Sequence, residues 1–269
     1  MTDTTDQARG AAARVQHSKP LRTAARVGYA VNGLLHVLIG VIALGIATGG
    51  GGEADQGGAL GQVAAQPGGQ VVLWVLVVGL WGLGLFQLLE AALVRGTDRD
   101  DWVERAKEGG KGVAYLAVGV TAFTVARGGS TDSSDQTQTV SAQLLAAPGG
   151  VVLLVVLGLA VVAIGGWFVV KGAKQKFRED LVVPGGREGR VVVGLGVVGY
   201  VAKGVVLVLV GVLFVVAAVQ SDASEATGID GALKALAGVP FGVVLLVVVA
   251  LGLVAYGAFQ FVRARRAKL

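Results

Sequence analysis

Residues 239–263 read VPFGVVLLVVVALGLVAYGAFQFVR. A proline and a glycine open the stretch, about twenty apolar residues follow, and a glutamine and an arginine stand near its far end. Roughly 20 apolar residues, rising 1.5 Å each as a helix, cross the hydrocarbon layer of a bilayer. This stretch therefore predicts a transmembrane helix, and five other segments repeat the prediction. The six predicted spans are 27–48, 71–94, 111–126, 151–170, 199–219 and 243–262. The third is short, with Lys111 and Arg127 at its ends, whose charged heads can snorkel outward. The fifth has an alternative start at Val191.

Composition agrees. The 269 residues are 54% hydrophobic and 15% charged, with a mean hydropathy of +0.70. That is too apolar for a soluble globular chain. There is no cysteine, which excludes disulfides and thiolate metal sites. The two histidines, His17 and His36, are too few for a haem or a multi-histidine centre. No metal or other cofactor is expected.

The net charge of +5 would suggest nucleic acid in a soluble protein. Here the positions of the charges give a different cause, and no nucleic-acid partner is expected. Residues 1–22 are polar, read as a disordered tail, and begin a basic stretch that ends at Arg26. No small-residue cleavage site follows a short apolar core, so the first span is expected to insert uncleaved. Loops 95–111 and 171–190 and the tail 265–269 are rich in Lys and Arg; loops 48–70 and 128–150 carry acids and no base. Twenty of the 23 basic residues fall on one side of this alternation; Arg127, Lys203 and Lys234 do not. The positive-inside rule then puts both termini and the two basic loops in the cytoplasm. Binding of anionic head groups is the functional alternative for these bases. Topology alone explains them.

The chain is written three times. Pro67, Pro148 and Pro240 each open an even-numbered span, and Gly69, Gly150 and Gly242 follow two residues on. Gly84, Gly165 and Gly257 lie seventeen residues after each proline, and Phe86, Trp167 and Phe259 nineteen after. On the odd spans Gly33, Gly112 and Gly204 are each followed seven residues later by Gly40, Gly119 and Gly211. The expected fold is all-α, with six transmembrane helices as three parallel helical-hairpin repeats at 23–95, 104–172 and 191–264. A pseudo-threefold arrangement and a side-by-side array are both open.

With segments such as GALKALAGVPFGVVLLVVVALGLVAYGAFQ, the triplicated hairpin resembles the bacterial membrane family known as domain of unknown function 1206. The second copy departs most, with Ala160 where the others have Gly79 and Gly252, and Phe168 where they have Gln87 and Gln260. The resemblance implies fold and location. It brings no catalytic residue and no cofactor.

Physics assigns roles to the repeated positions. Glycines seven apart share a helical face, and small residues allow the backbone contact that drives helix association in lipid. They predict packing faces; a glycine-lined permeation path is the sharper alternative. The prolines predict first helical turns. Before them, GALGQVAAQP, SAQLLAAP and GALKALAGVP predict short helices on the outer surface. The glycines at 49–52 and 57–58 read as linker, and Asp100–Asp101 as solvated surface.

Polar residues inside the spans are the candidate site. His36 lies about 18 Å from the outer end of its span, near mid-membrane, with Asn32 one turn away. Such a group is a functional candidate by default, and the plainer alternative is a neutral histidine making one interhelical hydrogen bond. Gln87 and Glu90 on the second span, and Tyr256, Gln260 and Arg263 on the sixth, form a recurring polar stripe; Asn32, Lys111 and Lys203 are equivalent on the odd spans. Glu90 is expected to pair with Lys203 or Lys111. Snorkelling is the competing account of Lys111, Lys171 and Arg263.

There is no Walker loop, HExxH or GxSxG. An enzyme is therefore not expected. A structural or regulatory membrane component comes first, and a small-solute or ion transporter using the set around His36 and Glu90 second. The expected partner is the lipid bilayer. Further copies of the chain and other membrane proteins stay open as partners.

Overall fold

The computed structural model describes residues 19–94, 98–129 and 131–268. Most of the predicted tail and Arg95 lie outside the described residues. Among the described residues the elements are helices alone. They are α1 (Lys19–Ala47), α2 (Gln56–Ala64), α3 (Gly69–Leu93), α4 (Arg99–Ala126), α5 (Ser133–Ala146), α6 (Gly150–Ala173), α7 (Gly186–Gln220), α8 (Gly228–Gly238) and α9 (Gly242–Arg266). A 3₁₀ turn, Lys176–Asp180, links α6 to α7. Among the described residues six helices are long and apolar enough to cross a membrane: α1, α3, α4, α6, α7 and α9. Their exposed faces are apolar. Val71 is 70% exposed, Val152 67% and Val219 74%, a surface that water would not tolerate and lipid tails solvate. The protein is a multi-pass membrane protein.

The odd-numbered spans start earlier than predicted. The third begins at Arg99, not Lys111, and the fifth at Gly186. For the third, the cause lies in Asp98 and Asp101. Asp98 caps the helix, and the side chain of Asp101 accepts a hydrogen bond from the Asp98 N–H at 3.1 Å, closing a capping box. Asp100 and Asp101 also meet the positive end of the helix dipole. The pair read as solvated surface, with Asp100 exposed and Asp101 half-buried, also starts a helix.

The prolines sit two residues before their helices, not in the first turn. Residues 66–69 form a type II turn: Gly69 N–H donates to Gln66 C=O at 2.9 Å, with Pro67 second and Gly68 third at φ 77, ψ 0. The turn recurs at 147–150, with Gly149 at φ 76. In the third copy Phe241 holds the left-handed place at φ 61. The short helices α2, α5 and α8 precede these turns, as expected from their spacing.

The chain divides into two compact units. Gly33–Gln62 and Ser130–Phe259 make one; the described parts of Met1–Asn32, Val63–Gly129 and Gln260–Leu269 make the other. In the latter, α3 crosses α4 at Gly84 and Gly112, where a Cβ on either glycine would lie 3.0 Å from the other's carbonyl oxygen. The start of α1 crosses α3 at Gly28 and Gly79. Tyr29, Leu83 and Phe86 fill the core beside these crossings. In the former, α6 crosses α7 twice, at Gly165 with Gly204 and at Gly158 with Gly211. The rest of α1 crosses α9 at Gly33 with Gly257 and at Gly40 with Ala250.

Each even span thus meets the odd span of the following copy at the first repeat glycine, and the last span meets the first in this way; the second contact recurs in α6–α7 and α9–α1, while in α4 Gly119 packs against Trp81. The glycine faces are packing faces, filled by neighbouring backbone in α1–α9 and α6–α7 and partly by the Leu88 and Trp81 side chains in α3–α4.

Candidate functional site

The predicted polar residues divide between the units. His36, Lys203 and Tyr256 belong to one; Asn32, Gln87, Glu90 and Gln260 belong to the other. The first three come together. The His36 ring centroid lies 4.7 Å from that of Tyr256, and the Lys203 ammonium stands 4.6 Å from the same ring. Lys203 also lies over Phe168, at 5.4 Å. Phe168 is the residue that breaks the glutamine pattern in the second copy, so the departure places a cation–π partner there.

Tyr256 is one edge of a larger aromatic cluster. Tyr200 touches Tyr256 at 5.3 Å, Phe259 at 5.7 Å, Phe168 at 5.6 Å and Phe177 at 5.3 Å. Phe177 and Phe259 are fully buried, and Tyr200 and Tyr256 are 2% and 3% exposed. Gly199 makes room: a Cβ there would lie 2.5 Å from the Tyr256 Cα. Lys171 stands 5.5 Å from the Tyr200 ring and donates to Asp180 at 2.6 Å. Burial and an acidic partner, more than snorkelling, account for Lys171. Phe177 and Asp180 belong to a loop that reads in the sequence only as charge. Sequence reasoning missed both, and an aromatic residue inside a basic loop was the available signal.

In the other unit, Asn32, Gln87 and Gln260 are buried and Glu90 is half-buried. Lys111, one of the two cations expected for Glu90, is held by Glu108 at 2.6 Å on its own helix. Arg263 lies 4.6 Å from the Tyr29 ring.

A second polar cluster lies at the short helices α2, α5 and α8. Asp55 caps α2: its Oδ1 accepts from Gly58 N–H at 2.9 Å, so Gly57 and Gly58 open a helix and are not linker. Asp230, 4% exposed, accepts from Ala54 N–H at 2.8 Å and pairs with Lys234 at 2.7 Å. Ser134 donates to Thr227 C=O at 2.9 Å. Lys234, an exception to the charge pattern, is thus the counter-ion of a buried aspartate. Arg127, another exception, stacks over Phe123 at 5.7 Å.

Burial pushes the Asp55 carboxyl above its ordinary 3.8, with Asp230 and Asp132 adding to the effect, while hydrogen bonds from Gly58 and Gly57 oppose it. Glu53 is raised as well, by desolvation and then by Asp132, Asp55 and Asp230. A carboxyl raised by folding binds its proton more tightly folded than unfolded. Stability therefore falls as pH rises from about 3.8 through the folded value. Asp55→Asn keeps the cap and removes the charge. Its thermal midpoint in detergent should exceed that of wild type at pH 7, and the gap should close towards pH 4. A gap independent of pH would contradict the assignment.

Among the described residues no cluster of three or more His, Asp or Glu can hold a metal. Comparison with known proteins yields few matches. The chain is 27% identical over 169 residues to "Uncharacterized protein YxxB" of Bacillus subtilis (strain 168), a match that covers 61% of each chain. No solved structure matches. One family model matches three times, over residues 27–93, 108–175 and 198–267, and it matches the repeat read from the prolines and glycines. The chain belongs to that family, the Domain of Unknown Function (DUF1206) proteins.

Proposed function

We propose that the protein is a non-enzymatic structural or regulatory component of a bacterial plasma membrane, with both termini in the cytoplasm. The observation that carries this reading is the packing of its most unusual polar residues. His36 and Lys203 lie against aromatic rings, and those rings continue as one buried cluster through Tyr200 to Phe177. Transport needs such side chains to face a hydrated path. The separation of basic and acidic loops supports the orientation.

A transporter is the second reading. It is favoured by one observation: two ionisable side chains, His36 and Lys203, meet at one tyrosine ring. A proteoliposome flux screen over ions and small solutes separates the readings. The structural reading expects no flux above that of protein-free liposomes. A flux that His36→Ala abolishes overturns it in favour of transport.

A further inference from the structure

We propose that a groove at the start of α7 binds one anionic phospholipid, with its phosphate between Arg178 and Arg190 and an acyl chain along Val193, Gly194 and Val197. The groove measures about 560 Å³, and all five residues line it. Along α7 its lining changes from Arg190 in the first turns to Val193, Gly194, Val197 and Val198 beyond, with Arg178 contributed by the preceding turn. Among the described residues neither arginine is paired with a carboxylate, and both are exposed. The Arg178 Nη1 donates only to Gln175 Oε1, at 3.3 Å. Two unneutralised guanidiniums suit a phosphate, which accepts their paired N–H donors.

The depth is right for a lipid. α7 has 35 residues, about 52 Å at 1.5 Å each, against a hydrocarbon layer of roughly 30 Å. Its first turns therefore reach the head groups, while Val198, 53% exposed, leads the groove towards the tails. A soluble phosphate would use the arginines and leave the apolar half unexplained.

The turn that carries Arg178 is held in place. Arg178 follows Phe177, whose ring stacks on Tyr200 at 5.3 Å and fills the notch left by Gly196. Two residues beyond it, Asp180 is fixed by Lys171 at 2.6 Å. The turn that carries Arg178 is thus anchored on both sides. At Gly194 an added Cβ would meet nothing within 4 Å, so the open space there is real room along the helix.

The test is native mass spectrometry of the full chain, equilibrated with equal phosphatidylglycerol and phosphatidylcholine of identical acyl chains. Wild type should retain phosphatidylglycerol on the order of tenfold over phosphatidylcholine, the scale expected of two bases at a membrane surface. The variant Arg178→Gln/Arg190→Gln should lose that preference. Gly194→Phe should reduce retention of both lipids by filling the apolar half. Lys174→Gln/Arg187→Gln removes equal charge from the same stretch between α6 and the first turn of α7, outside the groove lining, and should leave the preference intact. The proposal is overturned if the arginine pair keeps the wild-type preference, or if the control pair loses as much. It is also overturned if Gly194→Phe retains both lipids as wild type does.

Discussion

Gly150→Ala is expected to lower the thermal midpoint in detergent and the yield of folded protein, at a cost of about 3 kcal/mol, the upper end for overpacking. The added Cβ would lie 1.5 Å from the Leu144 carbonyl oxygen and 2.5 Å from its carbon. Both atoms are backbone, so no rotamer change relieves the contact. The same carbonyl accepts from Ala147 N–H at 3.0 Å, so moving it opens the turn itself. Gly69 and Gly242 face the same contact, at 1.8 Å from the Val63 oxygen and 1.9 Å from the Leu236 oxygen. Three copies carry glycine here for one reason: the end of the preceding short helix occupies the side-chain position.

The neighbouring residue behaves differently. Gly149 has φ 76 with nothing within 4 Å, so Gly149→Ala carries only the left-handed strain, about 1 kcal/mol. Phe241 already bears that strain, and at 87% exposure it has little packing to lose. Phe241→Gly should therefore raise the midpoint slightly, once the larger unfolded-state entropy of glycine is subtracted. Thermal unfolding of the three variants checks the order. If Gly149→Ala costs more than Gly150→Ala, the turn geometry is wrong.

The spans and their repetition were legible because lipid imposes contiguity. Every backbone group must be satisfied within the segment, so a crossing helix is one unbroken apolar run. The helix starts on the basic side lie outside that rule. At α4 the start is set by a local cap: Asp98 with Asp101 is a capping box written in two aspartates, which looks like charged loop until the helix is seen. The prolines were legible as punctuation but not as turns, because a helix start and a type II turn favour the same residue. For the candidate site the limit is distance along the chain. His36, Tyr200 and Tyr256 show no mutual spacing that would announce contact, because the helix crossings bring them together. The glycines that permit those crossings were legible; the side chains seated beside them were not. Polarity in the sequence therefore marked His36 and Lys203 as unusual, and only packing shows rings against both.

Gly204→Ala is expected to separate α6 from α7 and cost about 1–3 kcal/mol. Its Cβ would lie 2.6 Å from the Gly165 oxygen and 2.8 Å from the Val169 nitrogen. In lipid this close approach is itself a source of helix association, because burial of apolar surface gains little. Gly165→Ala presses the same gap from the other side, at 2.7 Å from the Gly204 oxygen. The double variant should then cost less than the sum of the two, since helices already moved apart accommodate the second methyl. Gly166→Ala is the control. It is adjacent in sequence, has nothing within 4 Å, and should be neutral or gain up to about 1 kcal/mol from helix propensity. The copies should also rank. Gly257 meets the Gly33 oxygen at 2.5 Å, so Gly257→Ala should cost as much as Gly204→Ala. Gly112 meets the Leu88 side chain at 2.7 Å, nearer than backbone at 3.0 Å, and a leucine can give way. Gly112→Ala should therefore cost least of the three. Equal losses for Gly165→Ala and Gly166→Ala would mean that backbone contact between α6 and α7 is not what selects glycine there.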